Sequence, residues 1–132
     1  MQNSTMRFGQ MIRTKRLNDP RELCLKDVAS YLNMSLSMLS DIEQGRRRPF
    51  DGEKIERFCT FLHLSDTDKA ELYDLAGREK MEIPSDIDNI MMHSEIGNMA
   101  RFALRMSNAG ILDEEDWRDL IRKAEAKRGG TT

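Results

Sequence analysis

The sequence predicts an all-α protein, and three observations carry that reading. Apolar residues recur at three- and four-residue spacing along most of the chain. No apolar–polar alternation of the kind a strand needs survives anywhere. The stripes are separated by Asn, Asp, Pro, Ser and Gly, the residues that start and stop helices. With 132 residues, 39 % apolar and 33 % charged, the chain can bury the core of one compact domain or two very small ones.

The elements follow in order. Residues 1–5 read as a polar tail. Phe8, Met11 and Ile12, with Lys15 and Arg16 one turn on, give a first helix that Asn18-Asp19-Pro20 stops, because proline disfavours helical geometry in the residue before it. Leu25, Val28, Ala29 and Leu32 mark a second helix. Leu36, Leu39 and Ile42 mark a third, closed by Gly45. A basic loop, Arg46-Arg47-Arg48-Pro49-Phe50, leads to Asp51, the expected N-cap of a fourth helix through Ile55, Phe58, Cys59 and Leu62. Ser65 opens a fifth helix through Leu72, Leu75 and Ala76, with Gly77 expected to close it. Three more follow: a short one around Ile87, Ile90 and Met91, one carrying Ile96, Met99, Ala100, Ala103 and Met106, and one from Asp113 through Trp117, Leu120, Ile121 and Ala124. Gly129 to Thr132 read as a low-complexity end. The ten methionines are expected mostly as core filler, and Cys24 and Cys59 as free core thiols.

Residues 25–45 hold the informative pattern. Two short helices separated by three residues, with small Ala29 where they cross, is the layout of a helix-turn-helix. Asn33 stands where the chain must turn with positive φ, which asparagine tolerates better than most residues. Ser35 can cap the second helix of the pair, and its hydroxyl and N–H can meet a phosphate.

Around this core, residues 8–62 resemble the xenobiotic-response-element class of bacterial and phage regulators, relatives of the λ-type repressors and Cro. The matching residues are Phe8-Gly9-x-x-Ile12-Arg13-x-x-Arg16, Leu25-x-x-Val28-Ala29, and Ser35-x-x-x-Leu39-Ser40-x-Ile42-Glu43-x-Gly45-Arg46-x-x-Pro49. Asn33 replaces the usual turn glycine, and Cys24 stands where a Ser or Thr cap is common. Leu72 to Gly77, Ile83-Pro84-x-Asp86-Ile87 and Glu115-Asp116-Trp117 are similar to the tails of small regulators from Gram-positive bacteria and their mobile elements.

The resemblance implies a five-helix λ repressor-like helix-turn-helix domain over residues 1–77 and a helical C-terminal extension over 83–128 that dimerises or packs. It also implies roles. Ser35, Leu36, Ser37 and Asp41 fall at base-contacting positions, and Ser40, Arg46, Arg47 and Arg48 at phosphate-contacting ones. Arg16 and Glu43 match an ion pair that bridges the first and third helices.

Charge agrees with two jobs on one chain. Net charge is −2, but residues 1–62 hold 11 Lys and Arg against 8 Asp and Glu, while residues 63–132 hold 10 against 15. The expected function is sequence-specific binding of double-stranded DNA by a homodimeric transcriptional repressor on a palindromic operator. The surplus apolar faces Ile96/Met99/Ala103 and Trp117/Leu120/Ile121 are assigned to the subunit interface. Apolar Leu36 and Met38 also suit a protein, so two alternatives stand. One is an antitoxin that regulates its own promoter and neutralises a toxin. The other is a phage protein that uses the fold to inhibit a host protein, as an anti-CRISPR does.

An enzyme is not expected. His63 and His93 have no ligand-spaced partners, and the chain shows no phosphate-cradling glycine loop, GxSxG or HExxH. No metal or cofactor is implied. Without a membrane-length apolar run or a signal-peptide stretch, the expected location is the cytoplasm.

Overall fold

The computed structural model describes residues 6–130 and contains eight α-helices and no strand among them. They are α1 (Phe8–Asn18), α2 (Leu25–Leu32), α3 (Leu36–Glu43), α4 (Gly52–Leu62), α5 (Asp66–Lys80), α6 (Ser85–His93), α7 (Gly97–Asn108) and α8 (Glu114–Gly130). The tail at residues 1–5, and Thr131 and Thr132, lie outside the described residues. Contacts divide the chain into two compact units, one ending at Asp88 and one beginning at Asn89, within α6.

In the first unit, helix ends follow local chemistry. Asp19, before Pro20, is extended at ψ 131° and ends α1. Asn33 takes the left-handed conformation at φ 58°, so the Met34 N–H reaches the Ala29 carbonyl and closes α2. Ser35, Asp51 and Ser65 cap α3, α4 and α5, each side chain accepting from the N–H three residues on. Phe8, Ile12, Val28, Leu32, Leu39, Ile55, Phe58 and Leu72 form the fully buried centre, so α1 to α5 all contribute to one core. Against the outer edge of α2 and α4, Tyr31 stacks on Phe61 at 4.3 Å, with Arg57 over the first ring and Arg21 over the second.

Three expectations are corrected. Gly77 does not close α5; the helix runs on to Lys80, and Met81 at φ 57° ends it. The glycine serves close approach instead, since a Cβ there would lie 2.8 Å from the Glu82 carbonyl oxygen. Cys24 is not a core thiol. It occupies the N-cap of α2 and is exposed, whereas Cys59 is buried and burial pushes its thiol up to about 11. The methionines are not mostly core filler: of those described only Met11 is fully buried, and Met81, Met92 and Met99 are exposed.

The second unit is a set of helices with little interior. The Trp117 indole N–H donates to Ser107 Oγ at 2.8 Å and ties α8 to α7, across a turn in which Gly110 takes φ 83°. Gly97 is its one buried residue among those described. Asp113 and Asp116 cap the start of α8 reciprocally, each carboxylate accepting the other's backbone N–H at 2.9 and 3.0 Å. No described helix is long and apolar enough to cross a membrane.

Candidate nucleic-acid interface

The site is built on α3, whose eight residues divide into two faces. Leu39, Ile42 and Glu43 are buried; Leu36 and Ser37 are exposed, as is the C-cap Gln44 just beyond them, with Ser40 and Asp41 half-buried beside them. The outward set follows the i, i+1, i+4, i+5, i+8 spacing of one helix side. Ser35 stands at its head, its Oγ accepting from the Met38 N–H at 3.1 Å. Met38 packs against the core instead of the outer face. Among the sequence-assigned base-contacting residues, Ser35, Leu36, Ser37 and Asp41 thus share one solvent-facing edge.

Two tertiary contacts fix that edge against α1. Arg16 donates from Nε and Nη2 to the two oxygens of Glu43 at 2.9 and 3.0 Å, and from Nη1 to the Leu23 carbonyl at 3.1 Å. The side chains are only 9 % and 4 % exposed. The carboxylate beside it raises the affinity of the Arg16 guanidinium for its proton, against the opposing effect of burial. The charge of Glu43 is therefore neutralised inside the protein and not presented on the exposed edge of α3. Gly9 is the second contact. A Cβ at this position would sit 2.1 Å from the Ile42 carbonyl oxygen and 2.7 Å from that of Glu43, so only glycine lets α1 cross the end of α3 so closely.

Beyond α3 the chain turns through Gly45 at φ 82°, which brings the Arg46 N–H onto the Asp41 carbonyl at 2.8 Å. The same turn carries the Arg46 guanidinium back over the helix end, where it pairs with Asp41 at 2.9 Å and donates to the Gln44 side-chain oxygen. Arg47 and Arg48 are exposed, with Arg48 3.9 Å from Glu82. Ser40 Oγ accepts from Gln44 Nε2 at 3.2 Å, so Ser40, Gln44, Arg46 and Asp41 form one polar cluster. Arg7, Arg46, Arg47 and Arg48 line a shallow hollow beside α3, together with Glu79.

Glu79 had no role in the sequence reading. It accepts the Phe8 N–H at 2.6 Å and pairs with Arg7 at 3.3 Å, anchoring the start of α1. It lies beyond Gly77, in the part of α5 that the glycine concealed. Gly9 stood within the quoted pattern, and the physical reason for it became visible only in the α1–α3 crossing.

Two helices joined by a tight turn, with the second exposing a polar edge and running into an arginine loop, is the architecture that DNA readers place in the major groove. Residues 10–72 match the family model described as a helix-turn-helix domain. This segment is a helix-turn-helix domain. No curated protein and no solved structure matches the chain. Within the helix-turn-helix domain α2 and α3 are the two helices joined by the tight turn at Asn33, in keeping with the resemblance of residues 8–62 to λ repressor-like regulators. The residues assigned to subunit contact lie in the other unit. Ile96, Met99, Leu120 and Ile121 are exposed there, Ile96 just before α7, while Ala103 and Trp117 are half-buried.

Proposed function

We propose that the protein is a sequence-specific transcriptional repressor that binds double-stranded DNA as a homodimer on a palindromic operator and blocks polymerase by occlusion. The observation that carries this reading is the exposed edge of α3 continuing directly into three exposed arginines. Base edges and phosphates are thereby met from one surface. Leu36 can touch a thymine methyl, and Asp41 can accept from the amino group of cytosine or adenine, while Arg46, Arg47, Arg48 and Ser40 hold the backbone. The protein acts by binding, without catalysis or a cofactor, in the cytoplasm where its DNA lies. One such module covers too little DNA to be selective, which favours two copies on half-sites about 34 Å apart.

Selection of bound sites from random DNA, using the purified full chain, tests the proposal. A two-fold symmetric sequence should emerge, and binding should weaken steeply with salt. No enriched sequence and no retardation of any fragment would refute it. A protein partner, a toxin or a host protein bound by a phage inhibitor, is the second reading. It is favoured by one observation: Leu36, at the head of the recognition helix, is 52 % exposed.

A further inference from the structure

The hollow beside α3 holds a fourth arginine that does not belong to the loop. Arg7 is the N-cap of α1, yet it lines the same depression as Arg46, Arg47 and Arg48. It arrives there because α1 crosses the end of α3 at Gly9, which sets the start of α1 beside Gln44 and Gly45. The close approach that only glycine permits therefore also brings a cation from a separate element to the arginine loop.

The backbone of Arg7 is anchored and its head group is not. Its N–H donates to the Gln10 side-chain oxygen at 2.8 Å, and its carbonyl accepts the Met11 N–H at 3.0 Å. The side chain is 58 % exposed and meets one oxygen of Glu79 at 3.3 Å, a solvent-screened contact. Glu79 does not depend on that contact, because its other oxygen accepts the Phe8 N–H at 2.6 Å. Arg7 can thus leave for a stronger anion without stranding the acid. Glu79 is the one carboxylate that lines the hollow; Asp41 and Glu82 reach Arg46 and Arg48 through exposed pairs at 2.9 and 3.9 Å. Each of these is a single carboxylate on an exposed guanidinium, and a row of phosphates competes well against it.

We infer that Arg7 is a further phosphate-contacting residue, which grips the DNA backbone from α1 while Arg46, Arg47 and Arg48 grip it from the loop, with Glu79 as the positioning residue that holds its guanidinium ready. The inference rests on the DNA-binding reading above and adds a contact outside the helix-turn-helix pair and its loop. Holding the backbone from two elements at once also fixes the angle at which α3 meets the duplex, since Gly9 sets the spacing between them.

Fluorescence anisotropy of the full chain on a labelled mixed-sequence duplex, titrated over a series of salt concentrations, tests it. A phosphate contact is independent of base sequence, so no operator is needed. Arg7→Gln, which keeps length and polarity but not charge, should lower the salt slope by about one unit of log K per log salt. Arg7→Lys should keep the slope of wild type. Arg7→Gln combined with Arg47→Ala should lower it by about two units, since the contacts are separate. Far-ultraviolet circular dichroism should show the same melting for wild type and Arg7→Lys. A wild-type slope for Arg7→Gln, with Arg47→Ala lowered, would overturn the inference and leave the DNA-binding reading standing. Equal loss of slope in Arg7→Gln and Arg7→Lys would reject a contact through charge. A wild-type chain that binds no duplex at low salt would overturn both.

Discussion

Replacing Glu43 with alanine strands the Arg16 guanidinium where only 9 % of its side chain reaches solvent. In the intact domain three of its nitrogens are satisfied, two by Glu43 and one by the Leu23 carbonyl. The variant keeps only the last of these. A charge-assisted bidentate pair is replaced by a buried, uncompensated cation and a small void. Breaking such a pair costs about 3–5 kcal/mol, against about 5–15 kcal/mol for the whole stability of a typical domain. The melting temperature of the first unit should therefore fall by more than about 10 °C. Glu43→Gln, which keeps the shape and one acceptor, should lose less. The double variant Arg16→Met/Glu43→Leu should return to within about 1 kcal/mol of wild type, because it removes both charges together. Urea unfolding followed by far-ultraviolet circular dichroism is the appropriate assay. The single tryptophan, Trp117, lies in the other unit, so its fluorescence would report the wrong transition. A loss below about 1 kcal/mol for Glu43→Ala is what a solvent-screened pair would give, and it would refute the argument.

Arg47→Ala should weaken binding to every DNA sequence about equally and lower the salt slope by about one unit of log K per log salt, read by fluorescence anisotropy; an effect confined to the preferred site would contradict a phosphate contact. Asp41→Ala should relax preference at one base pair per half-site by about 1–3 kcal/mol while non-specific affinity holds or rises, and unchanged preference in the same titration would remove Asp41 from base reading. Gly9→Ala should destabilise the domain by about 1–3 kcal/mol in urea, since its Cβ meets the α3 backbone at 2.1 Å, and a neutral result would mean the crossing is looser than described. Glu56 is held below the ordinary carboxylate range mainly by the Tyr73 hydroxyl at 2.6 Å, with Lys69 adding to it. Its contribution should be fully present above pH 4.5, the ordinary value, and lost as pH falls through the lowered one; Glu56→Gln should remove that part of the acid dependence.

The helices of the first unit were legible wherever a local residue sets the boundary. Asp19 before Pro20, Asn33 at the turn, and the caps Ser35, Asp51 and Ser65 each act within a few residues of themselves. Where a boundary depends on distant packing, pattern failed. Gly77 has the composition of a stop but is a helical residue under the returning chain at Glu82 and Pro84. The true stop, Met81, is a residue type with no preference for positive φ. Within the site, the inward and outward faces of α3 follow from its spacing, whereas the Arg16–Glu43 pair came only from resemblance. Charges 27 residues apart carry no mark of being partners. The Asp41–Arg46 pair was missed for another reason, since it exists only because Gly45 folds the loop back over the helix end. The exposed methionines escaped too, because composition does not say which apolar side chains a small helical unit leaves uncovered.

On the proposed function, the charges around α3 divide the labour of binding. Glu43 is withdrawn into the core, where Arg16 cancels it, so it repels no phosphate. Asp41 remains on the outer edge but shares its carboxylate with Arg46, whose side chain is 59 % exposed. That pair is solvent-screened and weak, worth about 1 kcal/mol or less, so a phosphate can take over the guanidinium at little cost. Once Arg46 turns to the backbone, Asp41 loses its partner and needs a donor, which only a base edge supplies. A correct base amino group completes the exchange, and a wrong one leaves an unpaired carboxylate in the groove. Arg47, by contrast, makes no ion pair among the described residues, so its attraction to DNA requires no exchange and adds affinity without selectivity. On the proposed function, selectivity therefore arises from one guanidinium that must leave an acid behind, and general affinity from its neighbours in the loop.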